Sequence, residues 1–250
     1  MVASNDSQSF PDPLHQFDIV DIGPQIHIGG IDLSFNNSAL WMLIAAGLAF
    51  SLVFFGSAKK SLVPGRLQAF VEMLYGLVTG LIKDNIGSKG RAFFPFVFTL
   101  FIFIFFANAL GLIPWSFTPT SHIGLTLFMA AFVMTMVTIT GFVRHGIGFL
   151  RLFVPHGVPP LLLVLLVPIE LFSYLARVMS LSVRLFANMF AGHMVMKVFA
   201  SFILVFGLVG SLGMLVNVAL YPFELFVAFI QAYIFSILTC LYLNDAVNMH

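Results

Sequence analysis

Six side chains able to carry charge, protons or strong hydrogen bonds stand inside apolar runs: Glu170, Arg177, Arg184, His193, Glu224 and Gln231. An ionisable group at membrane depth costs roughly 2.5–3.5 kcal/mol on insertion scales, so each one is a candidate for ion or proton chemistry. A guanidinium keeps its proton at any physiological pH. Arg184 is therefore a fixed positive charge that attracts a carboxylate and repels a hopping proton, and it cannot be a relay. Imidazoles and carboxylic acids do titrate within reach of physiological pH. His193 and Glu224 can take up protons and hand them on.

Each of these residues also has a plainer reading. Glu170 and Arg177 could neutralise each other along one helix, and Asn188 and Gln231 could be hydrogen-bond glue between helices. Arg184 could be a structural counter-ion to Glu224, and His193 a satisfied histidine inside a bundle. The other histidines (His15, His27, His122, His145, His156 and His250) fall in loops or tails without metal-ligand spacing, so neither a metal nor another cofactor is expected. No phosphate-cradling loop motif occurs, which excludes nucleotide chemistry on this chain. The single cysteine, Cys240, excludes an internal disulfide and reads as a small packed residue.

The elements that position these residues must be membrane helices. Of the 250 residues, 60% are hydrophobic and 8% charged, against about 25% charged in a soluble domain. Such a surface belongs mainly in lipid, and a net charge of +1 offers nothing to nucleic acid. Residues 1–38 hold five aspartates and no Lys or Arg, with Pro and Gly making an extended, turn-rich segment. Asn37 or Ser38 could cap a first span over 39–56. Residues 64–86 show apolar positions at helical spacing with Arg66, Gln68, Glu72 and Lys83 on the other face. That is an amphipathic helix, lying in the interface or packed on other helices. A second span over 92–113 contains Asn108 near its end, and a third covers 123–143. Between residues 57 and 92 there are six Lys or Arg against two acids. The positive-inside rule puts that stretch in the cytoplasm and the N-terminal segment outside. Five crossings then leave the C-terminus inside.

The run from Leu161 to about Phe206 has no Gly or Pro between Ile169 and Ala191. A helix of about 40 residues is about 60 Å long, twice the roughly 30 Å of hydrocarbon. It is either one steeply tilted helix or two spans broken near Arg177–Arg184. A break there would expose backbone at membrane depth, so the single helix over 159–206 is the expectation. A turn marked by Gly207, Gly210 and Gly213 leads to a last helix over 213–246. Glu170, Arg177 and Arg184 are seven residues apart and share a face, with Asn188 beside it, while His193 falls roughly opposite. Folded as an antiparallel hairpin, these helices pair Arg184 with Gln231 and His193 with Glu224 in nearly one register. That register is about one helical turn from the one a turn centred on Gly210 demands. The expected fold is thus a single all-α membrane domain with five crossing helices and one amphipathic helix, the last two helices long, tilted and paired.

No acid of the chain is well placed as a moving partner of Arg184, which implies an acid on another subunit. The stretch Arg184-Leu-Phe-Ala-Asn188-Met-Phe-Ala-Gly192-His193 resembles the signature of subunit a of F-type ATP synthases, in its mitochondrial and alphaproteobacterial form. Glu170, Gln231 and Asn108-Ala-Leu-Gly-Leu-Ile-Pro114 are similar to the same family. The resemblance implies a stator subunit with two offset half-channels beside a rotating ring of c subunits, with peripheral-stalk b subunits and other ATP synthase subunits as further partners. It implies that Arg184 faces the ring carboxylates, with Asn188 and Gln231 as supporting groups. It also implies that His193 and Glu224 line the outer path and that Glu170 lies toward the inner one. Many bacterial members carry the acid and the imidazole of that pair in the opposite positions. The exchange keeps one of each together and favours protons over sodium. The expected location is a bacterial inner membrane, or alternatively the mitochondrial inner membrane. A self-contained antiporter or channel, or a purely structural membrane subunit, would use the same charges differently.

Overall fold

The structure is a computed structural model that describes residues 20–22, 27–28, 31–32, 34–58, 63–113, 116–154, 160–206 and 211–248. Lys59, Lys60, Pro114, Trp115, Gly207, Gly210 and most of the N-terminal segment lie outside the described residues. Six α-helices make up the body: α1 (Asn37–Ala58), α2 (Arg66–Asn85), α3 (Phe94–Gly111), α4 (Ile123–His145), α5 (Pro160–Phe206) and α6 (Ser211–Val247). Before α1, His27–Ile28 and Ile31–Asp32 form a two-residue antiparallel pair. Among the described residues, five stretches are long and apolar enough to cross a membrane: α1, α3 with the 3-10 turn before it, α4 with the turn after it, α5 and α6.

The ends of the helices follow local chemistry. Asn36 caps α1: its Oδ1 accepts from the Ala39 amide at 2.9 Å, one residue before the earliest cap expected from the sequence. Gly87, at φ +79°, stops α2 in a left-handed conformation that side chains rarely adopt. A 3-10 turn over Gly87–Phe93 then leads into α3. Gly146, at φ +56° and ψ −137°, ends α4 in another backbone conformation that favours glycine.

Helix α2 is amphipathic and buries Leu74, Val78, Leu81 and Ile82. It packs on α1, α3 and α6. Gly56 of α1 permits this approach, since a Cβ there would meet Val71 Cβ at 3.1 Å.

Helix α5 is unbroken over 47 residues, and α6 over 37, about 70 and 55 Å at 1.5 Å per residue. Pro168 and Pro222 lie inside them without ending them. Both helices must lean steeply to stay within about 30 Å of hydrocarbon. Helix α6 buries Ala228, Ala232, Ser236 and Cys240 along one side, every fourth residue small. Small residues let neighbouring backbones approach closely where lipid gives no hydrophobic drive. Helix α5 buries Leu181, Leu185, Met189 and His193, again at intervals of four. Many other large apolar residues of α5, among them Leu171, Phe172, Met179 and Val183, are exposed. Polar pairs fasten α4 to α5: Thr126 to Ser182 at 3.1 Å and Thr138 to Tyr174 at 2.6 Å.

Helix α6 ends beside the start of the 3-10 turn. Asn248 Nδ2 donates to the Ile86 carbonyl, and Lys89 Nζ donates to Asn248 Oδ1, both at 3.3 Å. The C-terminal end therefore lies on the same side as the basic stretch around Lys83, Lys89 and Arg91, a relation that the Lys- and Arg-free last segment could not reveal.

Candidate functional site

Among the described residues, three side-chain pairs cross the seam between α5 and α6, in order along the hairpin. Nearest the turn, His193 Nδ1 lies 3.0 Å from Glu224 Oε1. Both residues are buried, at 2% and 5% exposure. The two atoms approach closely without an aligned hydrogen bond, since Oε1 has no hydrogen-bond donor in line with it. Gly192 makes the space, because a Cβ on it would meet the Glu224 carboxyl carbon at 2.7 Å. One turn along from His193, Asn188 Nδ2 donates to Gln231 Oε1 at 2.7 Å. Furthest from the turn, Arg177 Nη1 donates to Asp245 Oδ2 at 3.0 Å, and its guanidinium carbon sits 5.4 Å from the centre of the Tyr242 ring.

One expected pairing and one alternative reading change here. Gln231 partners Asn188, not Arg184. Gln231 thus pairs one turn further along α5 than expected, while His193 and Glu224 keep the expected pairing. Glu170 does not neutralise Arg177, which finds Asp245 on α6 instead. Asp245 went unrecognised because it sits at the tail of the last helix, next to Asn244 and Ala246, where a surface residue would also sit.

Arg184 lies on the exposed face of α5. Among the described residues it forms no ion pair, and its nearest hydrogen-bonding contact is Ser180 Oγ at 3.5 Å, the limit of such a bond. Nine residues separate it from His193, half a rotation around the helix and about 13 Å along its axis. The fixed charge and the titratable pair are thus on opposite faces and at different depths. Glu170 is half-buried, further toward the start of α5.

His193 also reaches the loop between α3 and α4, where its Nε2 lies 2.8 Å from Thr118 Oγ1. Asn108 of α3 is fully buried and accepts from Thr120 of the same loop at 2.8 Å. A cavity of about 150 Å³ opens next to His193, lined also by Gly111, Lys197, Asn217 and Tyr221. Asn217 Nδ2 donates to the Met196 carbonyl at 3.0 Å. Its Oδ1, with Gln231 Nε2 and Asn108 Nδ2, is buried without a protein hydrogen-bond partner, a condition that ordered water usually relieves. The polar spacing of Lys197, four residues after His193, was one sequence signal for this cavity. Asn217 and Tyr221 have similar spacing before Glu224. Among the described residues, no three His, Cys, Asp or Glu side chains gather as they would around a metal ion.

The arrangement can hold a fixed cation against a surface outside the chain, and separately pass protons between a cavity and a buried acid–imidazole pair. Comparison with known proteins bears on that geometry. A family model described as ATP synthase A chain matches residues 39–244. The ATP synthase subunit a of Pelagibacter ubique is 52% identical over 240 residues, which covers 95% of this chain and 98% of that protein. The subunit a of Rhodospirillum rubrum is 49% identical, covering 95% and 99%. That of Mesorhizobium japonicum is 50% identical, covering 95% and 96%.

Proposed function

Because the chain belongs to the ATP synthase A chain family, we propose that Arg184 is the fixed charge separating its two proton paths. The protein is the proton-conducting stator subunit of the membrane sector of the rotary ATP synthase, a multi-pass membrane protein that works with other ATP synthase subunits. A self-contained antiporter or channel is not favoured by that membership.

The observation that supports the residue roles is the contrast across α5. Arg184 stands on an open face with no carboxylate paired to it among the described residues, while His193 and Glu224 are buried on the other. In this reading a ring of c subunits presents its membrane carboxylates to the Arg184 face. The exposed apolar residues around it are the surface such a ring would cover. A proton enters from the outer side through the cavity beside Lys197, Asn217 and Tyr221, passes Glu224 and His193, and neutralises a ring carboxylate. The neutral site can then leave Arg184 and enter lipid, because an uncharged acid is far cheaper to bury than a carboxylate. After rotation the site releases its proton inward on a path that includes Glu170. Arg184 keeps the facing carboxylate ionised and repels protons that would cross directly. A charge moving through 100 mV gains about 2.3 kcal/mol, which biases the rotation.

The chain itself binds no nucleotide in this account, and peripheral-stalk b subunits hold it still. The N-terminal segment lies outside and the C-terminus in the cytoplasm of a bacterial inner membrane, with the mitochondrial inner membrane as the alternative. The contact of Asn248 with Lys89 and Ile86 supports the same side for the C-terminus and the basic stretch. The test is Arg184→Ala in the assembled complex. Proton-driven ATP synthesis by vesicles should fall to background while assembly is retained. Synthesis at the wild-type rate would overturn the role.

A further inference from the structure

We propose that Thr118 is a positioning residue of the outer proton path, holding the His193 ring in both of its protonation states. This rests on the proton-path reading above and assigns a residue to it that neither the signature around Arg184 nor the hairpin register contains.

Thr118 Oγ1 and His193 Nε2 are 2.8 Å apart. Thr118 is 1% exposed and His193 2%, so bulk water does not compete for either atom. The other ring nitrogen faces Glu224 Oε1 at 3.0 Å, but no donor is aligned with that oxygen. The Thr118 contact is therefore what fixes the plane of the ring.

A hydroxyl suits this place because it can both donate and accept. When His193 is neutral with its proton on Nδ1, toward Glu224, the Thr118 hydroxyl donates to the bare Nε2. When His193 is charged, Nε2–H donates and the hydroxyl oxygen accepts. Rotation about the C–O bond switches between the two without moving the ring. An imidazole that loads and unloads a proton many times per second would otherwise lose its partner in one of the two states.

The surrounding backbone is shaped for the contact. Gly111, at the end of α3, lies so close that a Cβ there would collide with the Thr118 hydroxyl and stand 2.8 Å from His193 Nε2. The loop carrying Thr118 is tied in its turn, since Ser121 Oγ donates to the Thr118 carbonyl at 2.7 Å and Thr120 bonds Asn108. The other titratable groups around the ring are Glu224 and Tyr221 from α6 and Lys197 from α5. None of them is placed on Nε2.

The sign of the effect follows from charge. A hydrogen bond to an ionised group is roughly twice as strong as a neutral one. Losing the hydroxyl therefore disfavours the charged imidazole more than the neutral one. In vesicles of the assembled complex, Thr118→Val should reduce proton-driven ATP synthesis several-fold. It should also shift the dependence on outer pH toward acid by about one unit. Thr118→Ser, which keeps the hydroxyl, should restore both. An unshifted pH profile in Thr118→Val, or an equal defect in Thr118→Ser, would overturn the proposal, because a purely structural loss lowers the rate without moving the profile. Arg184→Ala measured alongside separates the two readings. If it is inactive while Thr118→Val titrates like wild type, only the role of Thr118 fails. If it is fully active, the proton-path reading itself fails.

Discussion

Asn188 Nδ2 donates to Gln231 Oε1 at 2.7 Å across the seam of α5 and α6, one helical turn from Arg184. This bond sets the register of the hairpin at the depth of the fixed charge. Gln231 is almost fully buried at 1% exposure, so it cannot exchange its partner for bulk water.

Asn188→Ala should therefore cost about 1–3 kcal/mol, the usual penalty for leaving a buried polar group unpaired. It should lower ATP synthesis by several-fold without abolishing it. Unfolding of the detergent-solubilised subunit by a denaturing surfactant would measure the first effect, and vesicle synthesis the second. A loss as complete as that of Arg184→Ala would mean that Asn188 does more than position its neighbour.

The buried acid and imidazole should behave as one unit. His193→Glu or Glu224→His alone puts two acids or two imidazoles at 3.0 Å separation, and like groups so close cannot both ionise. The double exchange restores one of each. It should recover a substantial part of the ATP synthesis that either single change removes. Additive losses in the double variant would show that the two residues act independently.

Gly192 faces the Glu224 carboxyl with no room for a side chain. Gly192→Ala should displace that carboxyl and impair proton flux about as strongly as Glu224→Ala, and adding Glu224→Ala to it should make matters little worse. The comparison needs only initial rates of proton-driven synthesis. A Gly192→Ala variant with wild-type rates would contradict the close approach.

Much of this architecture was legible because lipid imposes strict accounting on the backbone. The absence of Gly and Pro from Ile169 to Ala191 left α5 no place to break, and it runs unbroken from Pro160 to Phe206. The seven-residue spacing and the half-rotation to His193 placed Arg184 and His193 on opposite faces, which is where they lie. Partner choice was less legible. The Arg184–Gln231 pairing failed while the His193–Glu224 pairing held, because Asn188, four residues after Arg184, turns its amide to Gln231 and leaves Arg184 on the exposed face. Thr118 and Asp245 could not be found from helix periodicity. One sits in a loop and the other at a helix end, and neither interrupts an apolar run.

Cysteine cross-linking tests the central claim most directly, which is that the Arg184 face of α5 works against a carboxylate on another subunit. Cysteines placed at Val183 or Ala187, on the exposed face beside Arg184, would be paired with a cysteine one turn from the membrane carboxylate of a c subunit in the assembled complex. The native Cys240 is buried and does not compete. The account predicts rapid disulfide formation from these positions that halts ATP synthesis and is reversed by reduction, with none from Leu185 on the buried face. Cross-links from the Leu185 face, with none from Val183 or Ala187, would contradict it.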